Sequence, residues 1–463
     1  MSLKNKSLPM LFCICVIATI TACGGGSGSK PDATPAPVKL KSLTSSVSNL
    51  TFESTRLKEN SPAQNFILTS ANLSNIVSVN ASTDFEISKN NIDFYSSLNL
   101  NTAELNQNNF SLYTRFSPKK KLANISGNLV MSSTDFADVT ISLSGQAIES
   151  VTHNYATFSK QRIAFGGGNK RTQKAVFNLH DDVANIQAIK MYVKLDCPSQ
   201  GCNAWDVYAN VKVKVPDTNS WLELGRYITP YGVDNSQLSR GFEFDVTDFK
   251  SLLQGSTELQ IKVDTWGQDG WQVSVDFGYV EGQPDYPFYY ISPLLNFMGS
   301  SQSGVPYGIE HSFDLVKNVL IDGDAESVSL RTIISGWGHA TPKDSDGRGC
   351  AEWCYRTHQI KINQIDTFSH ELGPLGCSEN PVTPQSGNWA ADRAGWCPGM
   401  AVPVRVDMLG STASATPFMF EYKFADWITD GGHYSGDPGA FYAISSYIVV
   451  KSNTLIVIPT VID

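Results

Sequence analysis

The chain of 463 residues is 41% hydrophobic and 17% charged, a composition that excludes a disordered protein and suits about three domains of ~100–200 residues each. Its formal net charge of −9 gives a surface that repels phosphate backbones, which excludes nucleic acid as a partner. With 36 glycines, 22 prolines and no long helical period, the expected fold class is all-β and rich in turns.

Residues 1–23 read as an address. Lys4 and Lys6 precede an apolar run at residues 8–22, too short for a membrane span of ~20 apolar residues. The run ends Thr21-Ala22-Cys23-Gly24, the pattern of a bacterial lipobox in which Cys23 becomes the lipidated N-terminus. An ordinary cleaved signal is the alternative. Residues 24–37, rich in Gly, Ser and Pro, make a flexible tether. The expectation is an exported protein that meets the membrane only through a lipid anchor. Gly24 carries no inner-membrane retention signal, which points to the outer membrane of a Gram-negative cell.

Residues 38–150 form the first expected module. Its Asp84-Phe85-Glu86-Ile87-Ser88, Tyr113-Thr114-Arg115-Phe116 and Leu143-Ser144-Gly145 resemble the Ig-like modules of bacterial surface proteins, a smaller β-sandwich. It holds no candidate catalytic set and reads as a spacer, with glycan or partner binding as the alternative. Boundaries are expected near residues 148–160 and 281–287, giving further modules at 155–282 and 286–460. Residues 189–195 and 211–217 alternate apolar and polar, as half-buried strands do; residues 418–422 and 442–450 read as strands buried on both faces. Helix is limited to a turn or two, such as residues 246–253.

Once Cys13, Cys15 and Cys23 are assigned to the leader, six cysteines remain: Cys197, Cys202, Cys350, Cys354, Cys377 and Cys397. An even number in an exported chain implies disulfides, and adjacent pairing gives two tight loops and one longer one. Their spacings lack the two-residue zinc knuckle, the histidines are scattered, and no His-Glu-x-x-His occurs. No metal and no cofactor is expected.

Three constellations carry chemistry. Cys197 to Asp206 sets Trp205 and Asp206 beside a short cysteine loop; a structural aspartate on a stapled turn is the plainer alternative. Ser335-Gly336-Trp337-Gly338-His339 is followed by Cys350-Ala351-Glu352-Trp353-Cys354, where a closed ring would restrict the rotamers of Glu352. Trp337 and Trp353 offer faces for sugar stacking or simply fill a core. Asn388 to Met400 carries Asp392-Arg393, a clamp for an amide or sugar oxygen, or a surface pair. Paired carboxylates with tryptophans on a β scaffold describe a carbohydrate-active enzyme, and leave open a glycosidic bond or an amide.

From about residue 174 to 453 the chain is similar, block for block, to the peptide-N-glycosidase F family. The matching stretches include Trp205-Asp206, Ile228-Thr229-Pro230-Tyr231, Asp245-Val246-Thr247-Asp248-Phe249, Gly304-Val305-Pro306-Tyr307-Gly308, Ile334 to Ala340, Arg348 to Cys354, and Ala440-Phe441-Tyr442-Ala443-Ile444. The resemblance implies two side-by-side eight-stranded jelly rolls with the active site between them, and a monomer acting on N-linked glycoproteins and glycopeptides. It pairs Cys197 with Cys202, Cys350 with Cys354 and Cys377 with Cys397. It makes Asp206 the group that activates water and Glu352 the second essential carboxylate. Arg393, Trp205, Trp266 and Trp337 become substrate-binding residues, and Asp264 stands where the family has glutamate. A second departure is Val207, at the family's arginine. Both leave the reaction class unchanged and imply a roomier pocket around the first N-acetylglucosamine.

Overall fold

The computed structural model describes residues 39–105, 109–119, 123–298, 304–410, 416–432 and 439–462. The leader, the tether and Cys23 lie outside the described residues. What is described is almost entirely β-strand.

The first sandwich faces a sheet ordered Ser42–Ser45, Gln64–Ala71, Phe110–Phe116, Phe85–Ser88 with one built around Asn124–Ser133 and Phe136–Ile148. Alternation does the work: Phe66 and Leu68 turn inward while Ile67 stays exposed. Phe85 and Phe116 meet at the centre with ring centroids 5.2 Å apart. The next strand, Thr152–Ala156, already pairs with Trp271–Glu281. The second sandwich therefore reaches back to Thr152, ahead of the expected 155.

In the second sandwich, one sheet runs Thr152–Ala156, Trp271–Glu281, Ile186–Asp196, Phe242–Asp245, with Gln161–Ile163 also on Trp271–Glu281. The facing sheet runs Thr172–Asn178, Ser256–Val263, Tyr208–Lys214, Trp221–Ile228. From Gln161–Ile163 onward successive strands cross between the sheets, as in a jelly roll, save for the hairpin of Tyr208–Lys214 with Trp221–Ile228. The strand expected over 211–217 stops at Lys214. Pro216 has no N–H to offer a ladder and Asp217 turns with φ 56°. The expected helical turn is a 3₁₀ segment, Thr247–Leu252.

The third sandwich pairs two five-stranded sheets, one centred on Phe441–Ser452 and Ser327–Trp337, the other on Phe418–Lys423 and Arg356–Ile362. Phe441–Ser452 is covered on both faces. Tyr442, Ile444, Ile448 and Val450 fill its own core, while Tyr447 and Val449 belong to the core of the second sandwich. Phe418–Lys423 departs from expectation: Phe418, Phe420 and Tyr422 are buried, but Met419 and Glu421 are half-exposed. It lies in the outer sheet, so its second face is not covered by the neighbouring sandwich.

A polar network crosses between these two sandwiches. Glu223 and Arg226, both fully buried, form an ion pair at 2.6 Å. Glu223 also accepts from Tyr208 Oη (2.8 Å), Asn210 Nδ2 (2.9 Å) and Ser445 Oγ (2.6 Å). Arg226 Nη1 donates to Ser335 Oγ (3.0 Å) and Ala443 O (2.6 Å). Burial alone would push Glu223 up; the charge and hydrogen bonds of Arg226 bring it down to about 2.

Candidate active site

Three disulfides hold the loops that bear the candidate groups. Cys197–Cys202 precedes Trp205 and Asp206, Cys350–Cys354 rings Glu352, and Cys377–Cys397 closes the loop carrying Arg393. The backbone around Asp206 is pinned from the neighbouring strand end: Thr229 Oγ1 donates to Trp205 O (2.8 Å) and accepts from Val207 N (2.9 Å). Glu352 N donates to Gly338 O (3.0 Å) and its carbonyl accepts from Ala394 N (2.8 Å). Gly338 sits at φ 89° with the backbone of Gly439 against it, a place with no room for a side chain.

Asp392 and Arg393 do not form a surface pair. Asp392 Oδ1 accepts the N–H groups of Leu375 (3.0 Å), Gly376 (2.8 Å) and Cys377 (2.9 Å), which shapes the loop. Arg393 is 1% exposed and points inward, its guanidinium 4.4 Å above the Trp353 ring.

These loops meet at the junction of the two jelly rolls around a cavity of about 550 Å³. Asp206, Glu352, Arg393, Trp205, Asp264, Trp266 and Trp337 all line it. Arg393 Nη2 lies 3.3 Å from Asp206 Oδ2, and its Nε 3.8 Å from Glu352 Oε1. Glu352 Oε2 is 2.9 Å from His339 Nε2. Trp205 and Trp266 stand at the rim, 61% and 64% exposed, unusual for so large an apolar ring. Trp337 lies deeper, stacked on Trp396 at 4.6 Å. Its Nε1 donates to Ser335 Oγ (3.0 Å), the hydroxyl that Arg226 also holds. Asp264 is 6% exposed; one oxygen is 3.0 Å from Lys262 Nζ and the other has no hydrogen-bond partner.

Asp206 is pushed up to about 7, first by burial and next by the negative charge of Glu352; Arg393 and a hydrogen bond from Tyr231 oppose the rise. A carboxyl poised there exchanges its proton near neutral pH, as a general base or acid requires. Of the lining residues not nominated from sequence, Tyr231 and His339 are the ones that bear on the charged groups, through Arg393 and Glu352 respectively. Each stands inside a stretch that carried the resemblance, but no spacing rule ties either to the carboxylates. Among the described residues, Cys377, Asp392 and Cys397 place candidate metal-ligand atoms within 4.8 Å. Their sulfurs are joined in the disulfide and the carboxylate is occupied by backbone amides, so the trio does not suit a metal.

Comparison with known proteins follows this geometry. Residues 199–279 match the family described as peptide-N-glycosidase F, N terminal, and residues 309–449 match peptide-N-glycosidase F, C terminal. The chain is 51% identical over 311 residues to peptide-N(4)-(N-acetyl-beta-D-glucosaminyl)asparagine amidase F of Elizabethkingia miricola, covering 67% of this chain and 87% of that protein. The solved structure of PNGase F from Flavobacterium meningosepticum, a glycosylasparaginase, superposes with a TM-score of 0.66 at 51% identity, covering 68% of this chain and all of that one. A structure of PNGF-II is similar in fold alone: 12% identical, TM-score 0.52, covering 85% of this chain and 97% of that one. With two matched halves that meet at the cavity and half of the aligned residues shared, this chain belongs to the peptide-N-glycosidase F family.

Proposed function

We infer that the protein is a hydrolase, an amidase that cleaves the bond between the first N-acetylglucosamine of an N-glycan and its asparagine in glycoproteins and glycopeptides. The products are aspartate on the peptide and a glycosylamine that loses ammonia. The observation that carries this reading is Asp206, poised near neutrality beside Arg393 and Glu352 in a cavity with tryptophans at wall and rim, in a chain half identical to a known amidase.

The chemistry runs through these groups. Asp206 takes a proton from water as the water oxygen bonds to the asparagine side-chain carbonyl carbon. Arg393 and Glu352 hold the reacting amide and the attacking water in register. As the C–N bond breaks, the proton passes to the departing nitrogen. Mass spectrometry of a treated glycopeptide is the test: asparagine becomes aspartate and the whole glycan is released. A peptide that stays glycosylated at high enzyme concentration would mean a glycan-binding protein, and a peptide keeping one sugar an endoglycosidase; either result overturns the amidase.

The raised carboxyl sets the pH dependence. The base form of Asp206 is populated only above about 7, so kcat/KM is expected to rise roughly tenfold per pH unit below that point and then level. A profile flat between pH 5 and 7 would contradict the assignment.

Val207 and Asp264 bear on specificity. Both are 6% exposed and line the cavity, where smaller side chains leave room and remove polar contacts. The expected result is cleavage of glycopeptides whose first sugar bears a 3-linked fucose, with binding of unsubstituted cores weakened about tenfold or more by a lost charged hydrogen bond. Val207→Arg with Asp264→Glu should reverse the preference in kcat/KM; equal acceptance by both enzymes would refute the pocket reading.

The anchor and address remain part of the proposal: lipidation at Cys23, membrane contact only through that lipid, an outer-membrane location and a monomer. Among the described residues no helix is long and apolar enough to cross a membrane. Fatty-acid-analogue labelling should mark the wild type and spare Cys23→Ser; equal labelling of both would remove the lipobox.

A further inference from the structure

Tyr231 stands in the second sandwich, just past the strand Trp221–Ile228, and its ring is 8% exposed on the cavity wall. Its seat comes from the other jelly roll, from the loop closed by Cys377–Cys397. Gln385 Oε1 accepts its N–H (2.9 Å), and Ser386 N donates to its carbonyl (3.1 Å). Gln385 is itself anchored by donation to Val382 O (2.8 Å) and Pro398 O (3.1 Å). Gly387 lies flat on the phenol, where a Cβ would run into the ring. So much fixing for one side chain places its hydroxyl closely. That hydroxyl sits 3.1 Å from Arg393 Nη2, the same nitrogen that lies 3.3 Å from Asp206 Oδ2, so phenol and carboxylate meet at one guanidinium nitrogen.

The donor inventory fixes the direction of the bond to Arg393 and what it leaves over. A guanidinium only donates, so the phenol oxygen accepts from Arg393, and its single O–H is left for Asp206. We propose that Tyr231 is a positioning residue of the amidase site: its hydroxyl, oriented by Arg393, holds the Asp206 carboxylate in the rotamer and charge state that accepts a proton from water. This rests on the amidase reading above. Tyr231 keeps its own proton throughout, because burial and the charge of Asp206 hold the phenol well above its usual range. The charged groups that face Asp206 are Glu352 and Arg393 from the third sandwich, with His339 beyond Glu352. Of the groups that favour the ionised carboxylate, Tyr231 is the neutral side chain, so its removal changes no net charge.

Tyr231→Phe keeps the ring in its seat and deletes only the hydroxyl. With a glycopeptide substrate, the acid limb of kcat/KM should move up by about one pH unit, the size of a lost hydrogen bond to a charged group. At pH 7, where the wild-type carboxyl is half ionised, kcat should fall about fivefold with KM changed less than about threefold. Gly387→Ala leaves the hydroxyl in the chain but pushes the ring aside, and the same upward shift is expected; it also decides the matter if Tyr231→Phe does not fold. A folded Tyr231→Phe whose acid limb coincides with the wild type overturns the proposal, whether or not kcat falls. If Tyr231→Phe does not fold, an unmoved limb in Gly387→Ala overturns it equally. Release of glycan by the wild type in the same assay is the separate check on the function itself, since its failure sinks the amidase before any variant is compared.

Discussion

Asp206→Asn is expected to lower glycopeptide hydrolysis by roughly 10²–10⁴-fold, the contribution of a positioned general base, while glycopeptide binding persists. Asparagine fills the same volume and still accepts from Arg393, so the walls of Trp205, Trp266 and Trp337 stay in place. What disappears is the atom that takes the proton. The same substitution should raise stability at pH 8. An aspartate whose folded pKa, about 7, lies above its unfolded value contributes stability below the unfolded pKa, and that contribution is lost as pH rises through 7. At pH 8 the wild type therefore carries a buried charge that the variant lacks, and a gain of about 2–5 °C in Tm is expected. Activity and melting measured on one preparation check both halves. A variant that keeps most of wild-type kcat shows that the base is elsewhere, and a lower Tm at pH 8 shows that burial does not strain Asp206.

Arg226→Met is expected to destabilise the protein by about 3–5 kcal/mol, the cost of leaving a buried carboxylate without its counter-ion. Glu223 would keep its hydrogen bonds from Tyr208, Asn210 and Ser445 but lose the charge that keeps it ionised. The damage reaches the cavity from both sides. Tyr208 lines it from the second sandwich, and Ser335 ties Arg226 to Trp337 in the third. Activity per folded molecule should therefore fall along with stability. Glu223→Gln combined with Arg226→Met removes both charges and should recover much of the stability. Urea unfolding of the three proteins measures this; a single variant within about 1 kcal/mol of wild type would mean the pair is not what joins the rolls. Acid acts on the same pair. A carboxyl held down near 2 stabilises above its unfolded pKa of about 4 and loses that contribution as pH falls through 2.

How far the letters reach is clear from particular residues. Ile189, Met191, Val193 and Leu195 are buried with polar neighbours between them, a period of two that needs no partner to be recognised. Residues 442–450 are apolar but for Ser445 and Ser446 because two different cores share one strand, which a run of letters reports as burial without saying against what. In 418–422 the aromatic letters already alternate, and the surrounding richness in apolar residues hid that Met419 and Glu421 face outward. The carboxylates and tryptophans of the site were legible through resemblance. Tyr231 and His339 were not: 162 residues separate Tyr231 from the arginine that orients it, and the 13 between His339 and Glu352 match no motif spacing.

Each of the three segments that bear the candidate groups has its own sulfur bridge, around Glu352 and Arg393 and just ahead of Asp206, and the expected consequence is an activity that depends on oxidation. Thiols stay reduced in an ordinary bacterial cytoplasm, so a chain held there would have Glu352 and Arg393 on unclosed loops and the turn ahead of Trp205–Asp206 unstapled. If the protein is exported as proposed, competence would begin only outside that compartment, and the cell's interior would be spared the enzyme. Cytoplasmically expressed, thiol-trapped protein should release little glycan until air or a disulfide exchange buffer is supplied; full turnover before oxidation would show that the loops hold their shape without their bridges.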